Sequence, residues 1–292
     1  MTDLRSGGVG TDLHAGAKVP WTHAPELTVL EQVYGSPTTG RTVFKVVDAR
    51  VGLTYALKVV ELRGGQDARA VEREVVAFNR LALLPDRLPR VRAIEQSGPR
   101  CFVLMDWMEG STLDRYTGGA PVRTPSELAM RLRVVGELCA TVAALHDKRM
   151  AHRDLKPQNV VVRDTSDPSR GVAVLDLGLA TQTRANWEGS DGYAAPEQAG
   201  FRQWSLSPRT DVFAVGQLLA FAIAGKPLPL RPASDLRHWE QDAGEMLQGT
   251  VGLSLPEPLR RCVRQCTALV PEHRPGNLNA VRHALRELSK GR

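Results

Sequence analysis

The sequence predicts an α+β chain of two lobes, a small strand-rich N-lobe and a larger helical C-lobe, with a cleft at their junction. Two observations predict it. Apolar and β-branched residues crowd the stretch 28–61 in short runs broken by turns, and from Thr112 onward the pattern changes to helical spacing. The change falls at residues 106–110. The boundaries read from this pattern are a flexible tail over residues 1–25, an N-lobe over 26–105, a hinge over 106–110 and a C-lobe over 111–292.

Each element has its own signal. LTVLEQVYG, RTVFKVVD and LTYALKVVEL read as three strands, separated by the turn sequences GSPTTG and DARVG. A helix is expected over residues 67–84, because Val71, Val75, Phe78, Leu81 and Ala82 share one face. Strands follow at 91–95 and 101–105, completing a five-stranded sheet with one helix. Thr124-Pro125-Ser126-Glu127 is a helix start: a Thr cap, proline in the first turn, and a glutamate placed to close a capping box. That helix runs to about His146. Short strands at 160–162 and 172–175 flank a polar loop, and helices resume near Thr210. Residues 1–25 carry Gly, Pro and His without periodicity, hence the reading as a tail.

Composition narrows the classes. The chain has 292 residues, 42% hydrophobic and 24% charged, enough apolar content to bury a sizeable core. The formal charge of +6 suits an anionic ligand such as a nucleotide, but no dense Lys/Arg block with interleaved aromatics signals nucleic-acid binding. The most apolar run, 212–224, is too short to span a bilayer and reads as a buried core helix. Cys101, Cys139, Cys262 and Cys266 do not form a disulfide scaffold in a chain of this length, and the start of the sequence lacks a signal-peptide pattern. A reducing, cytoplasmic setting is expected.

The densest chemistry lies in His152-Arg153-Asp154-Leu155-Lys156-Pro157-Gln158-Asn159, between a helix and a strand. Phosphoryl transfer needs positioning and charge neutralisation more than covalent chemistry. Asp154 can orient an attacking hydroxyl and accept its proton, Lys156 can neutralise the moving phosphate, and Asn159 offers an oxygen to Mg2+. This run resembles the catalytic loop of eukaryotic-type (Hanks-type) serine/threonine protein kinases, and further motifs follow in the family's order. Asp176-Leu177-Gly178 resembles the metal-binding DFG motif, with Leu in the Phe position. Gly189-Ser190-Asp191-Gly192-Tyr193-Ala194-Ala195-Pro196-Glu197 resembles the end of the activation segment. Asp211 resembles the buried aspartate that braces the catalytic loop, and Arg274 the arginine that pairs with Glu197.

The resemblance covers about residue 26 to the C-terminus and implies a two-lobed protein-kinase-like fold that takes ATP in its cleft, with Mg2+. It makes Asp154 and Lys156 catalytic and Asn159 and Asp176 the metal ligands. Lys58, in Tyr55-Ala56-Leu57-Lys58, matches the lysine that holds the α/β-phosphates. Its helix partner is Glu72 or Glu74; Glu74 is favoured because Phe78 and Leu81 then fill the apolar positions that follow it. Gly35 and Gly40 keep the outer positions of the glycine-rich loop, but Pro37 replaces the middle glycine, removing a backbone donor. Val43, one residue further from Gly40 than the family spacing, and Ala56 are expected to cover the adenine. Met105 borders it, and backbone groups of Asp106 and Met108 pair with the base.

The implied activity is transfer of the ATP γ-phosphoryl group to Ser or Thr hydroxyls of proteins, the chain itself included. A small-molecule kinase would lack the Glu197/Arg274 pair, and a non-catalytic binding module would not need Lys58, Asp154, Asn159 and Asp176 together. Thr181 and Thr183 are candidate phosphorylation sites that would face Arg153.

Overall fold

The computed structural model describes residues 13–21, 26–36, 38–81, 84, 86–177, 189–198, 204–229 and 239–290. Pro37, Gly178, Thr181, Thr183 and residues 1–12 and 22–25 of the expected tail lie outside them. The chain divides into two units, Met1–Val71 with Arg90–Trp107, and Glu72–Pro89 with Met108–Arg292.

The first unit is built on an antiparallel sheet of five strands: β1 (Leu27–Ser36), β2 (Arg41–Asp48), β3 (Thr54–Glu61), β4 (Val91–Ser97) and β5 (Arg100–Asp106), in the order β1-β2-β3-β5-β4. Alternate residues face opposite sides. One side buries Leu27, Val29, Phe44, Val46, Leu57, Val59, Phe102 and Leu104 as a single cluster. Each such side chain contributes about 1.5–3 kcal/mol by leaving water.

Residues 13–21 complete this cluster, which corrects the reading of 1–25 as a uniform tail. Gly16 and Val19 donate backbone hydrogen bonds to the Val29 and Leu27 carbonyls (2.8 and 2.9 Å), and Val29 donates to Ala17 (2.9 Å). Val19 is buried in the cluster, Leu13 and Trp21 pack on it, and the Trp21 ring lies 6.4 Å from Phe102. The alternation Val19, Trp21 is too short to register among Gly and Pro, and only β1 supplies its partner.

Helix α1 (Gly65–Arg80) starts two residues before the expected position and ends four short of it. The Asp67 carboxylate accepts the Arg63 N–H (2.8 Å), and Asp67 N–H bonds to the Gly64 carbonyl. Residues 72–89 group with the helical unit, not with the N-lobe in which the 26–105 boundary placed them. Backbone and side-chain bonds explain this. Val174 N–H donates to the Arg87 carbonyl, Arg87 Nη1 to Thr141 Oγ1, and Arg163 Nη1 to the Asp86 carbonyl.

The second unit holds a three-stranded sheet, β6 (Ser111–Thr112), β7 (Val160–Val162) and β8 (Val172–Val174), in sequence order. Its helices are α2 (Leu113–Thr117), α3 (Pro125–Asp147), α4 (Pro208–Ala224), α5 (Trp239–Gln248), α6 (Glu257–Cys266) and α7 (Leu278–Ser289). Thr124 caps α3 by accepting the Glu127 N–H, while Glu127 reaches back to the Arg123 N–H, one residue before the cap. Helix α4 is buried from Thr210 to Ala224, so it is apolar all round and forms the centre of the unit. Ser207 and Thr210 close a capping box at its start. All four cysteines are free and buried, and burial pushes the Cys139 thiol up. Among the described residues no helix is long and apolar enough to cross a membrane.

Candidate active site

The catalytic-loop candidates sit between α3 and β7, and their placement begins with Asp211 on the first turn of α4. Its side chain is fully buried. Oδ1 accepts the Arg153 N–H (2.8 Å), and Oδ2 accepts both the His152 N–H and His146 Nε2–H (2.8 Å each). Three donors satisfy a carboxylate that would otherwise be costly to bury. His152 carries the order further. Its Nδ1 accepts the Asp154 N–H (3.2 Å) and its Nε2 faces the Leu175 carbonyl (3.0 Å), where it serves as the donor. One imidazole thus ties the loop to the residue just before Asp176.

Arg153 and Asp176 adopt left-handed backbone conformations, φ 67° and 56°. Such a conformation costs a non-glycine residue about 1–2 kcal/mol, and it concentrates at functional sites where surrounding bonds hold it. At Arg153 its N–H bond to Asp211 and the Gln198 amide, which donates to the Arg153 carbonyl (2.7 Å), do so.

Asp154 is the convergence point. Its Oδ1 accepts the Ser190 hydroxyl (2.7 Å) and its Oδ2 accepts Lys156 Nζ (3.3 Å). Asn159 Nδ2 donates to the Asp154 carbonyl (2.9 Å), so its amide oxygen remains as an acceptor. The structure therefore brings Asp154, Lys156 and Asn159 together, and with them Ser190, which the resemblance already places beside the loop aspartate and lysine.

The segment carrying Ser190 is fixed from behind. Arg274 and Glu197, both fully buried, form a two-pronged pair at 2.7 and 2.8 Å. Thr210 Oγ1 donates to Glu197 (2.9 Å), and Gln198 Oε1 accepts the Ala195 N–H (3.1 Å). Gly189 has φ 89°, and an added Cβ would sit 3.0 Å from Ala194 Cβ, so only glycine serves there.

In the first unit the strand register gathers the nucleotide candidates on one side of the sheet. Val43 lies opposite Lys58, and Ala56 opposite Met105. Directly paired residues of antiparallel strands share a face. Val43, Ala56, Lys58 and Met105 thus share the face opposite the Leu57–Phe102 cluster. The β2–β3 register is unbroken from Arg41 through Val43 to Val47. The Asp106 N–H donates to the Arg90 carbonyl (2.9 Å). Its carboxylate holds Arg92 with two bonds, and this pairing raises the Arg92 pKa. Lys45, paired with Ala56, lies over Trp107 at 4.6 Å. Gly35 pairs with Thr42, and Gly40 takes φ 61°.

In the second unit, Met108 packs with Val161 and Ala173. Glu74 is buried on α1, whereas Glu72 is exposed.

Among the described residues no three His, Cys, Asp or Glu side chains gather into a metal site. Mg2+ needs fewer: it keeps waters and phosphate oxygens and takes one or two protein ligands. The amide oxygen of Asn159 and the carboxylate of Asp176 are ligand types that suit that requirement.

Sequence reasoning did not single out His146, Gln198 or Thr210. Thr210 had a local signal, since Ser207-x-x-Thr210 opens an apolar helix. His146 and Gln198 had none, because their partners lie 65 and 45 residues away.

An aspartate flanked by lysine and asparagine, on a loop braced from a buried helix, carries the groups that phosphoryl transfer requires. The protein kinase domain family matches residues 29–285, and the chain belongs to that family. It is 29% identical over 289 residues to the serine/threonine-protein kinase PkaA of Streptomyces coelicolor, covering 90% of this chain and 50% of that protein. It is also 29% identical over 243 residues to PknL of Mycobacterium bovis, covering 80% of this chain and 58% of that protein. The chain thus spans between half and three fifths of the length of these relatives. The crystal structure of the PknI kinase domain of Mycobacterium tuberculosis matches with a TM-score of 0.63 at 19% identity, over 90% of this chain and 96% of that one. It is similar in fold.

Proposed function

We propose that residues 26–292 form a serine/threonine protein kinase domain that transfers the γ-phosphoryl group of ATP to protein hydroxyls, its own included. The observation that carries this reading is the Asp154 carboxylate, held by Lys156 on one oxygen and Ser190 on the other. An acceptor hydroxyl placed at Asp154 gives its proton to the carboxylate as its oxygen forms the new P–O bond. The bond from the γ-phosphorus to the bridging oxygen breaks, and ADP leaves with that oxygen's electron pair. Lys156 offsets charge on the moving phosphoryl group. Bound Mg2+, with Asn159 and Asp176 as its ligands, would neutralise phosphate charge. Lys58 is assigned to the α/β-phosphates with Glu74 as its family partner; Gly35 and Gly40 to the phosphate-covering loop; Val43, Ala56 and Met105 to the adenine; and the backbone of Asp106 and Met108 to the base edge.

A protein substrate is favoured over a small molecule because the 189–198 segment is held by the buried Glu197–Arg274 pair. A reducing, cytoplasmic setting is in keeping with four buried free thiols. Incubation with Mg·ATP and a generic protein should place phosphate on serine or threonine. Transfer to small alcohols alone, or none with a well-folded protein, would overturn the reading.

Ser190 gives a sharper expectation. Ser190→Ala removes a hydrogen bond to a carboxylate, worth about 1.5–3 kcal/mol, and should lower turnover about tenfold or more. Ser190→Thr, which keeps the hydroxyl, should retain turnover. Steady-state kinetics of the two variants checks this.

A further inference from the structure

We propose that Arg63 is a positioning residue that holds the glycine-rich loop, an inference that rests on the assignment of residues 35–40 to phosphate binding. Arg63 follows β3, and its Nη1 donates to the Thr38 carbonyl at 3.0 Å, across 25 residues of sequence. The guanidinium lies against the end of the same turn. A Cβ added to Gly40 would sit 3.2 Å from Arg63 Nη2 and 3.2 Å from Glu61 Cβ, so the absence of a side chain at Gly40 allows the approach.

The base of the arginine is itself anchored. Its N–H donates to the Asp67 carboxylate in the first turn of α1 (2.8 Å), and the neighbouring Glu61 N–H donates to the Gly40 carbonyl (2.8 Å). One residue, by its side chain on one side and its backbone N–H on the other, therefore links the turn of the loop to the start of the helix that carries Glu74.

The contact lies behind the loop. Gly40, Glu61 and Arg63 meet on the side of the sheet shared by Leu57 and Val59, whereas Lys58, Ala56 and Val43 face the other way. Arg63 thus acts on the nucleotide through the loop and does not touch it.

The local chemistry explains why a tether is useful here. The middle glycine of the family pattern is Pro37, which has no N–H to offer. The Thr39 N–H points to Ser36 Oγ at 3.4 Å. With fewer donors in the loop, the remaining ones gain from being held in place before ATP arrives, because ordering them on binding costs affinity.

The test compares Arg63→Ala and Arg63→Lys with the parent in ATP binding by titration calorimetry, in turnover, and in hydrogen exchange of the Thr38–Gly40 amides. Arg63→Ala should weaken ATP binding and raise KM about two- to fivefold, with kcat unchanged and the melting temperature held. The loop amides should exchange faster, and Arg63→Lys should recover part of both effects. Unchanged ATP affinity and unchanged exchange in Arg63→Ala would overturn the tether while leaving the kinase reading intact. A fall in kcat with equal KM would also overturn it. Failure of the parent to bind ATP would remove the kinase reading itself, and the inference with it.

Discussion

Asp154→Asn is expected to lower phosphoryl transfer by about 10²- to 10⁴-fold while leaving ATP binding close to that of the parent protein. The size follows from what a positioned proton acceptor contributes to a transfer step. The substitution is nearly isosteric. The amide oxygen can still accept from Ser190 or Lys156, and the Asn159 bond to the backbone carbonyl is untouched. What is lost is the charge and basicity needed as the acceptor hydroxyl gives up its proton. The expected signature is therefore a fall in kcat and kcat/KM together with an unchanged nucleotide dissociation constant. Single-turnover kinetics beside a binding titration measures both. Near-parental transfer in this variant would remove Asp154 from its role.

Arg274→Ala should destabilise the helical unit by about 3–5 kcal/mol, the range for breaking one partner out of a buried ion pair. The guanidinium spends all five of its N–H donors. Nη1 and Nη2 meet Glu197, Nη1 also bonds to the Arg209 carbonyl, and Nη2 to that of Leu269. Nε donates to the Ala268 carbonyl, and the plane lies 5.0 Å from the centre of Phe213. Truncation strands the Glu197 carboxylate and three carbonyls. Arg274→Lys should recover little, because an ammonium cannot reproduce the fork. The same variants should lose activity beyond the loss of folded protein, since Glu197 lies seven residues after Ser190 on the segment that reaches Asp154. Urea unfolding gives the stability, and activity corrected for the folded fraction gives the second effect. A loss below about 1 kcal/mol would show that the pair does not hold the segment.

The fold was largely legible in the sequence because its signals are local. Two-residue alternation gave the strands of the first unit, and continuous apolarity gave α4. The meeting of Asp154, Lys156 and Asn159 was legible for a different reason: they lie within six residues on one loop. The segment 13–21 was misread because its two buried residues have meaning only against β1 and Phe102. The grouping of 72–89 was missed because it depends on carbonyls that accept from β8 and from Arg163, partners with no trace in the local pattern.

The sequence by itself determined the element order, the α+β class and the residue types available for phosphoryl transfer. It also set the two-residue period that puts Ala56 and Lys58 on one side of β3. Only the tertiary structure decided that Val43 stands opposite Lys58 despite its shifted spacing, that Glu74 is buried where Glu72 is exposed, and that the expected Ser190 contact falls on Asp154 Oδ1. The reason is physical. Periodicity is written into neighbouring residues, whereas a cross-strand register, a buried helix face and a bond spanning 36 residues are fixed by packing and hydrogen-bond satisfaction across the folded chain.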